Sequence, residues 1–185
     1  MFIPTKDHFC DMSPKEFEEF SLKVLNEHVQ GLENLKFEHN KMIEKKDGRY
    51  QIDGKIEFTV MGVKYVTLVE CKHYKSPISR EKVQVLYDKI RVIGANKGIL
   101  ISTSNFQLGT IKYAREHGIA LIQLFEEGLT YETRSLDDIS KQGSFISKID
   151  NSYIGILQVD YEDRIHCIHL RNTSNELRNF LLSSI

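Results

Sequence analysis

Cysteine is scarce in this chain of 185 residues. Its three cysteines, Cys10, Cys71 and Cys167, are far apart in the sequence and odd in number. They have neither the spacing of zinc ligands nor the even count of a disulfide framework. Such cysteine usage is typical of proteins in a reducing cytoplasm.

Long hydrophobic runs are also lacking. No apolar stretch approaches the ~20 residues that a membrane-spanning helix needs. The first residues do not show the basic region and apolar stretch of a secretory signal. No low-complexity linker and no internal repeat divides the chain, and its length suggests one main domain. We therefore expect a cytoplasmic protein without a membrane span.

Several well-known catalytic patterns are missing as well. The seven histidines form no H-E-x-x-H cluster, which argues against a zinc protease. There is no glycine-rich phosphate-binding loop, so we expect no intrinsic ATP hydrolysis. No G-x-S-x-G pattern points to a serine hydrolase.

The charge is nearly balanced overall but unevenly distributed. The formal net charge is −1, which does not by itself suggest nucleic-acid binding. Residues 64–97, however, contain eight basic and three acidic residues. This basic segment is compatible with a polyanionic substrate, and equally with a solvated, lysine-rich helix face.

The order of hydrophobic patterns predicts an α/β fold. Ser13, Pro14 and Glu16 have the spacing of a helix start with a capping box. Continuously apolar runs later in the chain are typical of buried parallel strands. In chain order we expect a helix from 14 to about 30, an antiparallel meander of strands over 35–46, 50–58 and 65–72, a helix over 79–94, a strand over 98–103, a helix capped by Ser104 and ending near 117, and a strand over 119–124. This α-β-β-β-α-β-α-β order predicts a mixed sheet with helices on both faces.

Residues 126–185 are more difficult to assign. The pattern after residue 125 weakens, and then predicts a hairpin of strands over 153–159 and 164–170 and a short helix over 176–182. We therefore divide the chain into a main domain of residues 1–125 and a C-terminal extension of residues 126–185. The extension could lengthen the sheet, cover one of its faces or mediate dimerisation.

Three charged residues lie on two neighbouring predicted strands, two of them at a strand end. Glu70 and Lys72 are two residues apart, so they emerge on the same face of a strand while Cys71 faces the other way. Asp53 lies on the preceding strand. Two carboxylates and a lysine at one end of a sheet predict a site for divalent-metal hydrolysis. The alternatives are an exposed Glu70–Lys72 ion pair and a turn or bulge role for Asp53, which precedes Gly54.

Asp53 followed by Glu70-Cys71-Lys72 resembles the PD-(D/E)xK nuclease superfamily, and more narrowly the Mrr-like restriction endonuclease domain. Ile52 stands where the superfamily name has proline, and Mrr-like members commonly have an aliphatic residue there. The resemblance covers roughly residues 13–125. It rests also on segments 13–20, 48–53, 95–104, 113–115 and 118–122.

The resemblance implies a set of site residues. Asp53, Glu70 and the backbone carbonyl of Cys71 would hold Mg²⁺, for which Mn²⁺ could substitute. Lys72 would orient or deprotonate the attacking water and offset charge on the transition state. Glu18, on the first helix, matches the family's helix acid, which can hold a water or a second metal; a surface role is the alternative.

The resemblance also implies DNA as the substrate. Phosphate contacts are expected from the segment after Lys72, at His73, Lys75, Arg80 and Lys82, although a solvated loop is the alternative for each. We expect a homodimeric endonuclease of restriction or antiviral defence. The alternatives are a structure-selective repair or junction nuclease and a catalytically silent DNA-binding or assembly module. A targeting or regulatory protein partner is also compatible with the sequence.

Overall fold

The computed structural model describes residues 11–29, 31–126, 153–161, 164–170 and 176–183. Within these ranges four helices and seven strands follow one another along the chain. They are α1 (Pro14–His28), β1 (Glu33–Lys45), β2 (Gly48–Val60), β3 (Val63–Lys72), α2 (Arg80–Ile93), β4 (Lys97–Ser102), α3 (Leu108–Glu116), β5 (Ile119–Glu126), β6 (Tyr153–Tyr161), β7 (Arg164–Leu170) and α4 (Glu176–Leu182). None of the helices in this part of the chain is long and apolar enough to cross a membrane.

The strands form one mixed sheet whose spatial order is the chain order from β1 to β7. Strands β1, β2 and β3 are antiparallel neighbours joined by tight turns. Strands β3, β4 and β5 are parallel, and α2 and α3 make the two crossovers between them. The predicted α-β-β-β-α-β-α-β core and the mixed sheet are therefore confirmed.

Helix α1 begins as the sequence predicts. The backbone N–H of Glu16 donates to Ser13 Oγ (3.3 Å), and the backbone N–H of Ser13 donates to Glu16 Oε2 (2.7 Å). This reciprocal capping box satisfies two N–H groups that the helix itself leaves unpaired. The helix then buries Phe17 and Leu25 against the sheet.

The sheet is covered on both faces, and β3 contributes alternate residues to each side. Val69 and Cys71 belong to the apolar core beneath α1. Leu68 belongs to a second core, beneath α2 and α3. Because side chains alternate along a strand, Glu70 and Lys72 share the α2 side with Leu68. The position of the charged pair thus follows from the alternation along this one strand.

The predicted start of α3 is wrong. The helix begins at Leu108 with Gln107 as its N-cap, not at Ser104. The segment between them pairs with the loop after β3: the N–H of Ile78 donates to the Asn105 carbonyl (2.9 Å), and the N–H of Gln107 donates to the Ile78 carbonyl (3.1 Å). These hydrogen bonds between the two loops keep residues 104–107 out of the helix, so α3 begins later than predicted.

The C-terminal extension lengthens the sheet. Strand β6 pairs antiparallel with β5, and β7 pairs with β6, which confirms the predicted hairpin. Helix α4 buries Leu177 and Leu181 in the same core as α1. The Lys97 ammonium donates to Ser183 Oγ (2.8 Å) and to the Phe180 carbonyl at the end of α4. A role of this extension in dimerisation stays a prediction.

The close approach of α1 to β2 gives a testable prediction. A Cβ at Gly54 would overlap the end of Leu22 and lie 3.2 Å from the Cβ of Val69. We expect Gly54→Ala to lower the free energy of unfolding by about 1–3 kcal/mol because of this overpacking. Gly109→Ala is the matched control: it meets nothing within 4 Å and should raise stability by about 0.5–1 kcal/mol through helix propensity. Urea unfolding of both variants checks the two signs, and a Gly54→Ala protein as stable as wild type would contradict the packing described.

Candidate active site

Glu70 and Lys72 come together at the carboxyl end of β3. Strand β4 pairs alongside them, with Leu100 opposite Glu70 and Ser102 opposite Lys72. The Lys72 ammonium donates to Glu70 Oε1 at 2.6 Å. The Glu70 side chain is 9% exposed and that of Lys72 is 19% exposed. The alternative of an exposed ion pair on a solvated face does not describe this geometry.

Asp53 reaches the same place from β2. Gly54 pairs with Val69 in the antiparallel register, so Asp53, one residue earlier on β2, stands level with Glu70, one residue later on β3. Its Oδ2 accepts a hydrogen bond from the backbone N–H of Cys71 at 2.7 Å. Asp53 is only 8% exposed and lies within the strand, so it is not a turn residue. The structure thus brings the three predicted residues Asp53, Glu70 and Lys72 together.

Burial and the nearby carboxylate of Glu70 raise the pKa of Asp53 to about 6. The N–H of Cys71 and the charge of Lys72 oppose this rise, and the charge of Glu18 adds to it. Burial would lower the pKa of Lys72, but the Glu70 carboxylate outweighs burial and leaves that pKa above its usual value. Two adjacent carboxyl groups, one of which ionises with difficulty, are a donor set that a divalent cation would suit, because Mg²⁺ prefers oxygen ligands.

Cys71 turns its thiol away from these groups. The thiol is buried in the core beneath α1, and burial holds its pKa well above the usual value, so it stays neutral. Among the described residues, no three histidine, cysteine or acidic side chains come together as a metal-binding group. A metal here would therefore need a ligand beyond Asp53 and Glu70, and the predicted carbonyl of Cys71 stays a prediction.

Glu18, on α1, contacts a histidine of β1 and interacts electrostatically with Asp53. Its Oε2 lies 3.4 Å from Nε2 of His39 on β1. Its charge contributes to the raised pKa of Asp53, which places it near that carboxyl group. Its role as a helix acid stays a prediction.

Lys89 is a member of the site that was not predicted. It lies on α2, and its ammonium donates to Glu70 Oε2 at 2.8 Å. The sequence offered two weak signals: Lys89 belongs to the basic segment, and its neighbour Ile90 has the spacing of a core residue. Neither signal says which strand the lysine meets, because that depends on how α2 docks on the sheet.

The predicted DNA-binding residues lie in and after the loop that follows β3. His73 packs against Phe17, with ring centroids 5.5 Å apart. Arg80 lies over the ring of Tyr113 at 4.7 Å. Lys75 is exposed and Lys82 is half-buried in the first turn of α2. The structure does not gather these four side chains into one cluster, and their role stays a prediction.

This loop is nevertheless firmly held. Thr103 Oγ1 accepts from the N–H of Tyr74 (3.1 Å) and donates to its carbonyl (2.9 Å). Thr110 Oγ1 donates to the buried Ile78 carbonyl (2.8 Å). The loops after β3 and β4 therefore form one hydrogen-bonded platform at the carboxyl ends of these two strands, where the site lies.

Comparison with known proteins identifies the family. Among solved structures, the fold is similar to AF1548, a protein of unknown function (18% identity, TM-score 0.46, 56% of this chain and 54% of that one). It is also similar to AspBHI, a DNA modification-dependent restriction endonuclease (17% identity, TM-score 0.42, 57% of this chain and 27% of that one). The chain thus spans about half of the first protein and about a quarter of the second.

No curated protein matches. The Mrr catalytic-domain model, described as restriction endonuclease, matches residues 9–126, well over half of the chain, which therefore belongs to the Mrr-type restriction endonuclease family.

Proposed function

We propose that this protein is a divalent-metal-dependent endonuclease that hydrolyses DNA phosphodiester bonds, with a role in restriction or antiviral defence. The observation that supports this most is that Asp53, Glu70 and Lys72 come together in a buried cluster at the carboxyl end of β3. The family match adds support because it spans all three residues.

Asp53 and Glu70 are the side chains that would hold the metal, together with the Cys71 carbonyl. Mg²⁺ is the expected ion and Mn²⁺ a substitute. When bound, the ion would polarise the scissile phosphate and lower the pKa of a bound water. Lys72 would orient the attacking water and offset the charge that develops on the phosphate. Its raised pKa keeps it a protonated ammonium, which suits these two roles better than deprotonation of the water. Glu18 would hold a water near Asp53.

DNA would lie across the platform formed by the loops after β3 and β4. Lys75, Arg80, Lys82 and His73 would each contact phosphates and fix the register of the duplex without reading its sequence. The hydrogen bonds between the two loops support this role, since a platform that is already ordered loses little entropy on binding.

The assembly belongs to the same proposal. A homodimer would provide two sites for the two strands of a duplex. Residues 1–125 would form the nuclease domain, and residues 126–185 would complete the sheet and offer a surface to the second copy or to a targeting protein. Cytoplasmic location stays a prediction.

A catalytically silent DNA-binding module is the second candidate. One observation favours it: both oxygens of Glu70 already accept a hydrogen bond from a lysine, so the carboxylate is satisfied without a metal. In such a module Glu70 only stabilises the fold, and loss of metal would leave DNA binding unchanged. A structure-selective repair or junction nuclease would share the proposed site and differ only in substrate.

Plasmid cleavage distinguishes these candidates. We expect the wild-type protein to break supercoiled plasmid, or a branched DNA, in Mg²⁺ or Mn²⁺ and to leave it intact in EDTA. Methylated and unmethylated plasmid should be compared, because modification decides substrate choice in some nucleases of this kind. Asp53→Ala protein, purified identically, is the control for contaminating nuclease. Intact DNA under every condition, or equal cutting by both proteins, would overturn the proposal.

A further inference from the structure

Lys89 joins three elements at the candidate metal site. Its ammonium donates to Glu70 Oε2 on β3 and to the backbone carbonyl of Gln51 on β2, both at 2.8 Å. Helix α2 brings it there because Leu86 and Ile90 on either side are buried against the sheet. The Lys89 side chain is only 16% exposed, so the contact is shielded from solvent.

The two contacts of Lys89 fix both strands of the site. Glu70 is held through both oxygens, Oε1 by Lys72 and Oε2 by Lys89. Rotating this carboxylate would break charge-assisted hydrogen bonds, which are stronger than neutral ones. Gln51 stands two residues before Asp53, so the same ammonium also anchors the strand that presents the second acid.

We propose that Lys89 is a positioning residue of the active centre that orients Glu70 and lowers its affinity for the divalent ion, an inference that rests on the proposed metal-dependent function. Its hydrogen bond fixes the carboxylate, which favours metal binding. Its positive charge repels an incoming cation. The charge effect is the larger one, because it acts on both charges of the ion in a shielded site, whereas the orientation involves the few rotatable bonds of one side chain.

Removing the charge should therefore separate metal binding from cleavage. Lys89→Met should bind Mn²⁺ about tenfold more tightly than wild type, because the repulsion is gone. At saturating metal it should cleave DNA about tenfold more slowly, because Glu70 is less well placed. If Lys89 had a purely structural role, Lys89→Met would not bind Mn²⁺ more tightly than wild type does.

The experiment is a calorimetric titration of Mn²⁺ into the protein without DNA, followed by cleavage at saturating Mn²⁺. Lys89→Arg keeps the charge and should keep an affinity close to that of wild type. Lys45→Met is the matched control: Lys45 also donates to a backbone carbonyl, that of Ile93 (3.0 Å), and so connects a strand with the end of α2, but it contacts no acid of the site. Thermal melting in EDTA establishes that each variant is folded.

Asp53→Ala separates this inference from the proposed function. If wild type binds Mn²⁺ in a manner that Asp53→Ala abolishes, and Lys89→Met binds it equally or less tightly, the role of Lys89 is overturned and the metal site stands. If neither wild type nor Lys89→Met shows Mn²⁺ binding that depends on Asp53, the proposed function fails, and the inference fails with it.

Discussion

Replacing Lys72 with methionine is expected to slow DNA cleavage by about 10²- to 10⁴-fold, the range for a positioned proton-transfer or charge-stabilising group. Lys72 has the only ammonium on β3 that touches an acid of the site, at 2.6 Å from Glu70 Oε1. Methionine keeps the aliphatic stem in its half-buried place and removes the charge. Binding of Mn²⁺ should be retained or tightened, so the loss should appear in the rate of cleavage and not in metal affinity.

Single-turnover cleavage at saturating Mn²⁺ measures this effect without interference from product release. Lys64→Met is the matched control on the same strand. Lys64 pairs with Glu57 at 2.9 Å and is 63% exposed, so its removal should change the rate less than about twofold. If Lys72→Met cleaved DNA at the wild-type rate, Lys72 would be excluded from the chemistry.

The meeting of Glu70 and Lys72 could be predicted because it is local. Two residues on one strand, two positions apart, share a face whatever the rest of the fold does. The position of Asp53 beside this pair could be predicted for a similar reason, since a tight turn between β2 and β3 limits the registers in which the two strands can pair. The geometry of these three residues therefore needs only one hairpin.

Lys89 could not be predicted in the same way. Its contact with Glu70 spans 19 residues of chain and depends on the docking of α2, which is decided by apolar packing between elements. The late start of α3 has a similar origin, because backbone bonds from Ile78 take the place of a side-chain cap at Ser104. Likewise, the pattern of residues 153–170 predicted a hairpin but not that β5 is its neighbour.

The second large effect concerns stability without metal. Asp53 is ionised with difficulty in the folded protein, where its pKa is about 6, whereas its ordinary value is 3.8. Between these two values the folded state binds more protons than the unfolded state, so stability falls as pH rises from about 4 to about 6. The full shift corresponds to about 3 kcal/mol, which solvent screening and relaxation reduce to about 1–2 kcal/mol.

Asp53→Asn should abolish this loss, because the amide does not ionise. In EDTA at pH 7.5 we expect the variant to unfold at a temperature about 2–6 °C higher than wild type, and near pH 4 the difference should vanish or reverse. Adding Mn²⁺ at pH 7.5 should stabilise wild type far more than the variant, because the proposed site would hold the ion on the folded carboxylates of wild type. The active-site acid would thus weaken the empty protein and strengthen the metal-bound one.

Glu57→Gln is a control that should change the unfolding temperature at pH 7.5 in the opposite direction. Glu57 lies on the same strand, and the hydrogen bond from Lys55, with a further one from Lys64, holds its pKa below the ordinary value. An acid of this kind stabilises the fold at neutral pH and loses that contribution as pH falls, so Glu57→Gln should lower the unfolding temperature at pH 7.5 and less so in acid. Thermal melts of both variants in EDTA from pH 4 to pH 8 compare the two slopes. An Asp53→Asn protein that melts below wild type at pH 7.5 and gains as much from Mn²⁺ would show that Asp53 is a structural hydrogen-bond acceptor for Cys71, and the site would have to be sought among other residues.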